Sequence, residues 1–374
     1  MFDRQIIFLF VVMLLTLIYA LGVQRRSQKR NCVAAVTIAM TLFSGLRSWW
    51  MGDLIKYYTQ YLHCAGQDWW TVVFGQLSNS GIRVFFRLAS VLGLSYDVCI
   101  FLIAAFSAIT LGVLIFRYSP SPYWSYLIYI AMGFLMFTYS GLKQTIAMGF
   151  LCIAMIGLLE GRFWFFLIWT LVGGWFHMPA LIFLGAYPFA RKKPDTDYVL
   201  ILLALVTVIF LFRNRIVEFL AEMYYDDEGS FEASTQLGGR FLMMLFILAL
   251  GYYLRPLRVQ DKVYSYLFNL MVIAAALQTF SIYSNNYTRL ADYYYQFVAL
   301  YIPLMLQTGE SQLAEMPERK GQIIYHSGDL YFLLGVGITI FSLWYYIGYV
   351  DGSQTYLNGF KFFWEIDAHS LYGT

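Results

Sequence analysis

The strongest constraint on this chain is a series of long apolar runs, each close to the length of helix that crosses a bilayer. They read Phe2 to Gly22, Cys32 to Gly45, Val98 to Phe116, Tyr123 to Leu142, Thr145 to Leu159, Phe163 to Ala190, Tyr198 to Phe212, Phe241 to Leu254, Val263 to Ile282, Leu290 to Leu306 and Tyr331 to Tyr349. About 30 Å of hydrocarbon needs about 20 helical residues, and a helix satisfies its own backbone groups where no water can. The predicted fold is all-α: a polytopic transmembrane helical bundle, one integral membrane domain over residues 1–374. With 13% charged residues and a net charge of +3, the chain offers no continuous basic face, so nucleic acid is not an expected partner. Cys32, Cys64, Cys99 and Cys152 form neither a CxxC pair nor a disulfide framework.

Charge orients the runs. Arg25, Arg26, Lys29 and Arg30 follow the first one where a cleaved signal peptide would show small residues, so that run is a retained span with its basic loop in the cytoplasm. The stretch Leu46 to Tyr61, LRSWWMGDLIKYYTQY, then opens an outer segment, 46–97. Within it, Trp69 to Leu94 carries Arg83 and Arg87 among apolar residues and reads as an amphipathic interfacial helix, with its arginines as anchors. Phe163 to Ala190 holds Gly173, Gly174, His177 and Pro179 near its middle and fits one tilted crossing or two short ones. Two crossings keep Arg191, Lys192 and Lys193 cytoplasmic, and each half of about 20 Å then turns back inside the bilayer. His177 is expected at the floor of a wet, outward-facing cavity, since irregular backbone at that depth must face protein or water. A second outer segment, 213–240, includes Asp226-Asp227-Glu228 and suits a lid. The count is about 12 crossings with both termini outside.

Under that topology Arg47, Asp53, Lys143, His177, Arg240 and Arg289 all face outward near span ends, although they are scattered along the chain. Charge at the membrane is costly, and cations around a recess suit a phosphate-bearing, membrane-borne substrate. Arg47 and Arg289 equally fit interfacial anchors. Asp53, one turn before Tyr57 and Tyr58, suits an acceptor hydroxyl or a helix N-cap. His177 is a base at neutral pH or a hydrogen-bonded structural residue. Lys143-Gln144 follows Ser140-Gly141 at another outer end, and Trp49, Trp50, Trp69, Trp70 and Tyr293 suit sugar platforms or the ordinary aromatic belt. No histidine or cysteine stands at ligand spacing from the acidic stretch, so no metal or other cofactor is expected.

Taken together, Arg47…Gly52-Asp53-x3-Tyr57, Lys143-Gln144-Thr145-Ile146-Ala147, Phe176-His177-x-x-Ala180-Leu181, Arg289 near Tyr293 and the aromatic tail Phe360 to Trp364 resemble the EpsG/Wzy family of polysaccharide polymerases. The chain departs from the family pattern in having Lys143 where arginine is usual, and Gly52 directly beside Asp53. The resemblance implies a class C glycosyltransferase-like fold in the bacterial inner membrane, with its active site facing the periplasm. It implies a lipid-linked oligosaccharide on polyprenyl diphosphate as substrate, no nucleotide sugar, membrane lipids around it, and a flippase and chain-length regulator among pathway partners. Substrate binding falls to Arg47, Lys143, Gln144, Arg240, Arg289, Tyr57 and Tyr293, and acceptor activation to His177 or Asp53. Two other readings stand beside polymerisation: a flippase for the same lipid-linked sugars, and an acyltransferase of surface glycans. A transporter calls for broken helices in both halves, and the sequence displays one break, at His177.

Overall fold

The computed structural model describes residues 4–21, 25–49, 53–75, 79–192, 208, 211–212, 215, 238–253, 262–282, 288–314, 327–352 and 360–365. Among them the chain is helical, with one isolated β-bridge, Arg47 to Phe362. It divides into two compact units, residues 1–181 with 313–374, and residues 182–312. Arg4–Leu21, Tyr96–Tyr118, Leu142–Glu160 and Lys262–Ser281 are long and apolar enough to cross a bilayer, and Phe163–Phe176, Met178–Ala190, Gly239–Tyr252, Val298–Gln307 and Leu334–Gly348 are shorter apolar helices. The protein is a multi-pass membrane protein.

The first unit contains α1 (Arg4–Leu21), α2 (Arg26–Gly45), α3 (Leu54–Gly66), α4 (Trp69–Phe74), α5 (Ser80–Val91), α6 (Tyr96–Tyr118), α7 (Pro122–Ala131), α8 (Phe137–Ser140), α9 (Leu142–Glu160) and α10 (Phe163–Phe176). Helix α9 packs between α6 and α10, and α2 lies along α6. The α9–α10 turn depends on glycine twice. Gly161 adopts φ +74° while the Arg162 N–H closes on the Gly157 carbonyl at 2.8 Å. A Cβ at Gly157 would lie 2.7 Å from the Phe166 nitrogen, so the two helices cross in near backbone contact. Helices α3, α4 and α5 form the outer segment. The Asp68 carboxylate caps α4, accepting the Thr71 N–H at 3.0 Å and the Thr71 hydroxyl at 2.6 Å, and those bonds hold its pKa below the usual carboxylate range. Arg83 bonds the Val72 carbonyl at 3.1 Å, and Arg87 bonds that of Ala65 and lies over the Trp69 ring, so both arginines brace this segment.

The structure corrects the expectation of one continuous span over Tyr123 to Leu142. Helix α7 stops at Ala131, Gly133 takes φ +83°, and the chain runs on through a 3-10 turn, Phe134–Met136, and the single turn of α8 before α9 begins. Ten residues of α7 rise only about 15 Å. A left-handed glycine lets the chain leave a helix without proline, and the flanking residues are apolar throughout, so hydropathy does not register the break. A second break follows α10. His177 is extended at φ −146°, ψ 103°, and a 3-10 stretch, Met178–Gly185, follows. A Cβ at Gly174 would lie 2.2 Å from Leu181 Cδ2. In a continuous helix residues seven apart stand about 10 Å apart, so the chain folds back after His177.

The second unit contains α11 (Ala186–Ala190), α12 (Gly239–Tyr253), α13 (Lys262–Gln278), α14 (Thr288–Tyr295) and α15 (Val298–Ala314). Asn269 of α13 donates to the carbonyls of Phe189, Ala190 and Lys192 at 3.2, 3.0 and 2.8 Å, satisfying the C-terminal end of α11. Helix α16 (Ser327–Gly352) returns the chain to the first unit and packs on α7. Most of the expected span Tyr198 to Phe212, and the acidic stretch Asp226 to Glu228, lie outside the described residues.

Candidate functional site

In the first unit the expected residues gather where α2 ends and α9 begins. Helix α2 closes with the Leu46 N–H on the Leu42 carbonyl, and the next residues pair with the tail: Ser48 N–H to Lys361 O at 2.7 Å, Phe363 N–H to Leu46 O at 3.0 Å. Arg47 is thereby turned inward and is 1% exposed. Its guanidinium donates to the Ser44 carbonyl on α2 and to the Thr138 carbonyl in the broken segment, and it lies 5.2 Å over the Tyr139 ring. Irregular backbone buried away from water needs such donors. The planar fork of Arg47 is thus engaged on two carbonyls. Phe8, Phe43 and Phe360 stack at 4.1 and 4.7 Å over the same corner, and Arg4 grips Glu365 with both guanidinium nitrogens. That pair holds the Glu365 carboxyl down to about 2.

Lys143, in the first turn of α9, brings its ammonium 5.7 Å from the Tyr57 ring centroid. Tyr57 is on α3, one turn beyond Asp53, which precedes the helix without a side-chain cap and pairs with Lys56 at 3.2 Å. Tyr61 and Tyr96 fix the frame by donating to the Leu94 and Leu54 carbonyls at 2.7 and 2.8 Å. Gln144 is 1% exposed, and neither its amide oxygen nor its nitrogen has a hydrogen-bond partner among the described residues. Each orphaned buried polar group costs about 1–3 kcal/mol.

His177 is half-buried at the end of α10. Its surroundings come from a triplet absent from the sequence expectations, Asn79-Ser80-Gly81. Asn79 stands at φ +56° and its Oδ1 accepts the Met178 N–H at 3.1 Å, Ser80 Oγ accepts Trp175 Nε1–H at 2.6 Å, and a Cβ at Gly81 would meet Phe176 at 3.0 Å. These residues hold both sides of the helix break. A polar Asn-Ser-Gly ahead of an amphipathic run is the signal that marks them.

In the second unit Arg240, at the start of α12, pairs with Asp292 of α14 and lies 5.2 Å over the Tyr295 ring. Asp292 is fully buried, and its second oxygen has no partner among the described residues. Sequence reasoning passed over it, although a carboxylate inside an apolar run is costly enough to imply a partner. Arg289, one turn earlier on α14, is exposed, and Tyr293 is buried.

Residues 30–314 of the 374 match the family described as the EpsG family. The chain is an EpsG-family protein. That membership gives it a polysaccharide-polymerase type of function and the membrane setting of lipid-linked sugars. No curated protein and no solved structure matches the chain. Arg47, Asp53, Tyr57, Lys143, Gln144, His177, Arg240, Arg289 and Tyr293 all fall inside the EpsG match, whereas the tail 360–365 that seats Arg47 lies beyond it.

Proposed function

We propose that this EpsG-family protein polymerises lipid-linked repeat units at the outer face of the bacterial inner membrane, moving a growing glycan from polyprenyl diphosphate to an acceptor sugar. The observation that carries the reading is the EpsG match over residues 30–314, which contains every residue assigned a role. An acceptor hydroxyl oxygen bonds to the anomeric carbon, the bond from that carbon to the diphosphate oxygen breaks, and the diphosphate departs with the electron pair. The hydroxyl proton passes to His177 or Asp53. Arg289, exposed on α14, offers its fork to the diphosphate, where charge develops in the transition state. Lys143, Tyr57 and the bare amide of Gln144 contact sugar or phosphate oxygens. Arg47 supports the broken segment, and Arg240 and Asp292 hold the α12 and α14 ends beside Tyr293. About 12 crossings in a class C arrangement, with both termini outside, complete the proposal.

The test is purified protein incubated with a lipid-linked repeat unit and nothing else. A ladder of longer products is expected, without nucleotide sugar or acyl donor. Movement of the unit across a vesicle membrane without a ladder would overturn the polymerase reading in favour of a flippase. Arg289→Lys should express normally yet build little polymer, because an ammonium lacks the planar fork; wild-type ladders from it would leave Arg289 as an interfacial anchor.

A further inference from the structure

At the end of α2 away from Arg47, α1, α2 and α6 line an open cleft of about 490 Å³. Arg26 and Arg47 stand 21 positions apart, a rise of about 30 Å, so this cleft lies far from the Arg47 corner. Its basic wall is Arg26, Lys29 and Arg117, and its ring wall is Tyr19, Phe116 and Tyr118. Arg26 and Lys29 each lie 5.8 Å from the Phe116 ring centroid, which steers both cations toward the same space. Lys29 is half-buried and spends one N–H on the Ser119 carbonyl at 2.6 Å, leaving two donors. The neighbouring carboxylate, Glu160, is engaged by Arg117 at 3.4 Å and by Arg162 at 2.5 Å, so positive charge remains in excess.

Basic residues at a helix end ordinarily point into water, as Arg25 and Arg30 do here. Lys29 differs: it is half-buried, and it shares the cleft with Arg26 and Arg117. The same end of α1 exposes Leu17, Ile18 and Leu21, an apolar track on which acyl chains can lie while a phosphate enters the basic wall. We infer that this cleft binds the phosphate of an anionic phospholipid headgroup. Neither the polymerase chemistry nor its site is needed for the inference.

The experiment titrates purified protein in neutral detergent with phosphatidylglycerol, phosphatidylcholine or inorganic phosphate, and reads bound lipid by native mass spectrometry and the midpoint of thermal unfolding. Phosphatidylglycerol should bind and raise the midpoint, whereas phosphatidylcholine and inorganic phosphate should not. Removing two cations beside an anionic headgroup weakens binding by about thirtyfold, so Arg26→Gln with Lys29→Gln should abolish the shift. Arg26→Gln alone, at an exposed position, provides a folded variant with a partial loss. Arg25→Gln with Arg30→Gln removes the same charge outside the cleft and should retain the effect. Equal loss in that control would overturn the site in favour of diffuse attraction, and an equal shift from inorganic phosphate would overturn the lipid assignment.

Discussion

Gln144→Leu is expected to give a more stable protein that makes no polymer. Gln144 is 1% exposed and its two amide atoms lack partners among the described residues, so the side chain carries a burden of about 2–6 kcal/mol at about 1–3 kcal/mol per orphaned group. Leucine is close in size and has no polar atom, so the substitution removes that burden and adds little strain. Allowing for relaxation around the amide, the net gain is about 1–3 kcal/mol, a rise of a few degrees in unfolding midpoint for a chain of this size. The assay pairs tryptophan fluorescence melting in detergent with product length from a lipid-linked repeat unit at matched protein levels. The combination is diagnostic because a packing residue loses stability and function together, whereas a ligand with unfilled valences trades one for the other. A leucine variant that melts below wild type would refute the reasoning, since the amide would then have a partner. So would one that polymerises at the wild-type rate, since the amide would then touch no substrate.

Arg47→Met strands the Ser44 and Thr138 carbonyls and should cost about 2–4 kcal/mol in thermal unfolding, with Arg47→Lys intermediate; wild-type stability in both would remove the clamp role. Asn79→Gly loses only the bond to the Met178 N–H, about 1 kcal/mol, whereas Asn79→Ala adds about 1–2 kcal/mol for a left-handed backbone, so glycine should melt higher than alanine. Glu365 has its pKa depressed from 4.5 to about 2, so its hold on Arg4 is complete above about 4.5 and is lost as pH falls toward 2. Amide exchange at Ser48 and Phe363, corrected for intrinsic rate, should therefore accelerate from pH 6 to pH 3, and Arg4→Gln should abolish that acceleration.

The apolar runs made a membrane bundle legible, because hydrophobic length is a property of composition that no tertiary detail overrides. The break at His177 was legible too, since Gly173, Gly174 and Pro179 crowd within a few residues. The break at Gly133 was hidden: a lone glycine among apolar neighbours looks the same whether its φ is negative or +83°. Both broken segments lie in the first unit, so they do not supply the break in each half that a transporter calls for, and the family match favours polymerisation. Spacing says nothing of which way the Arg47 guanidinium turns, and its turn depends on a bridge partner, Phe362, more than 300 residues away. Asp292 was visible in the sequence as a carboxylate among tyrosines, and only the cost of burying it points to Arg240.

The pairing of residues 360–365 with residues 46–48 also sets an order of assembly. During synthesis the second helix emerges long before residues 360–365 exist, so the Arg47 corner stays unzipped until that segment has been made. A chain cut short by a premature stop carries the family core yet lacks the piece that seats Arg47. Maturation of that corner is thus coupled to the synthesis of a segment more than 300 residues downstream.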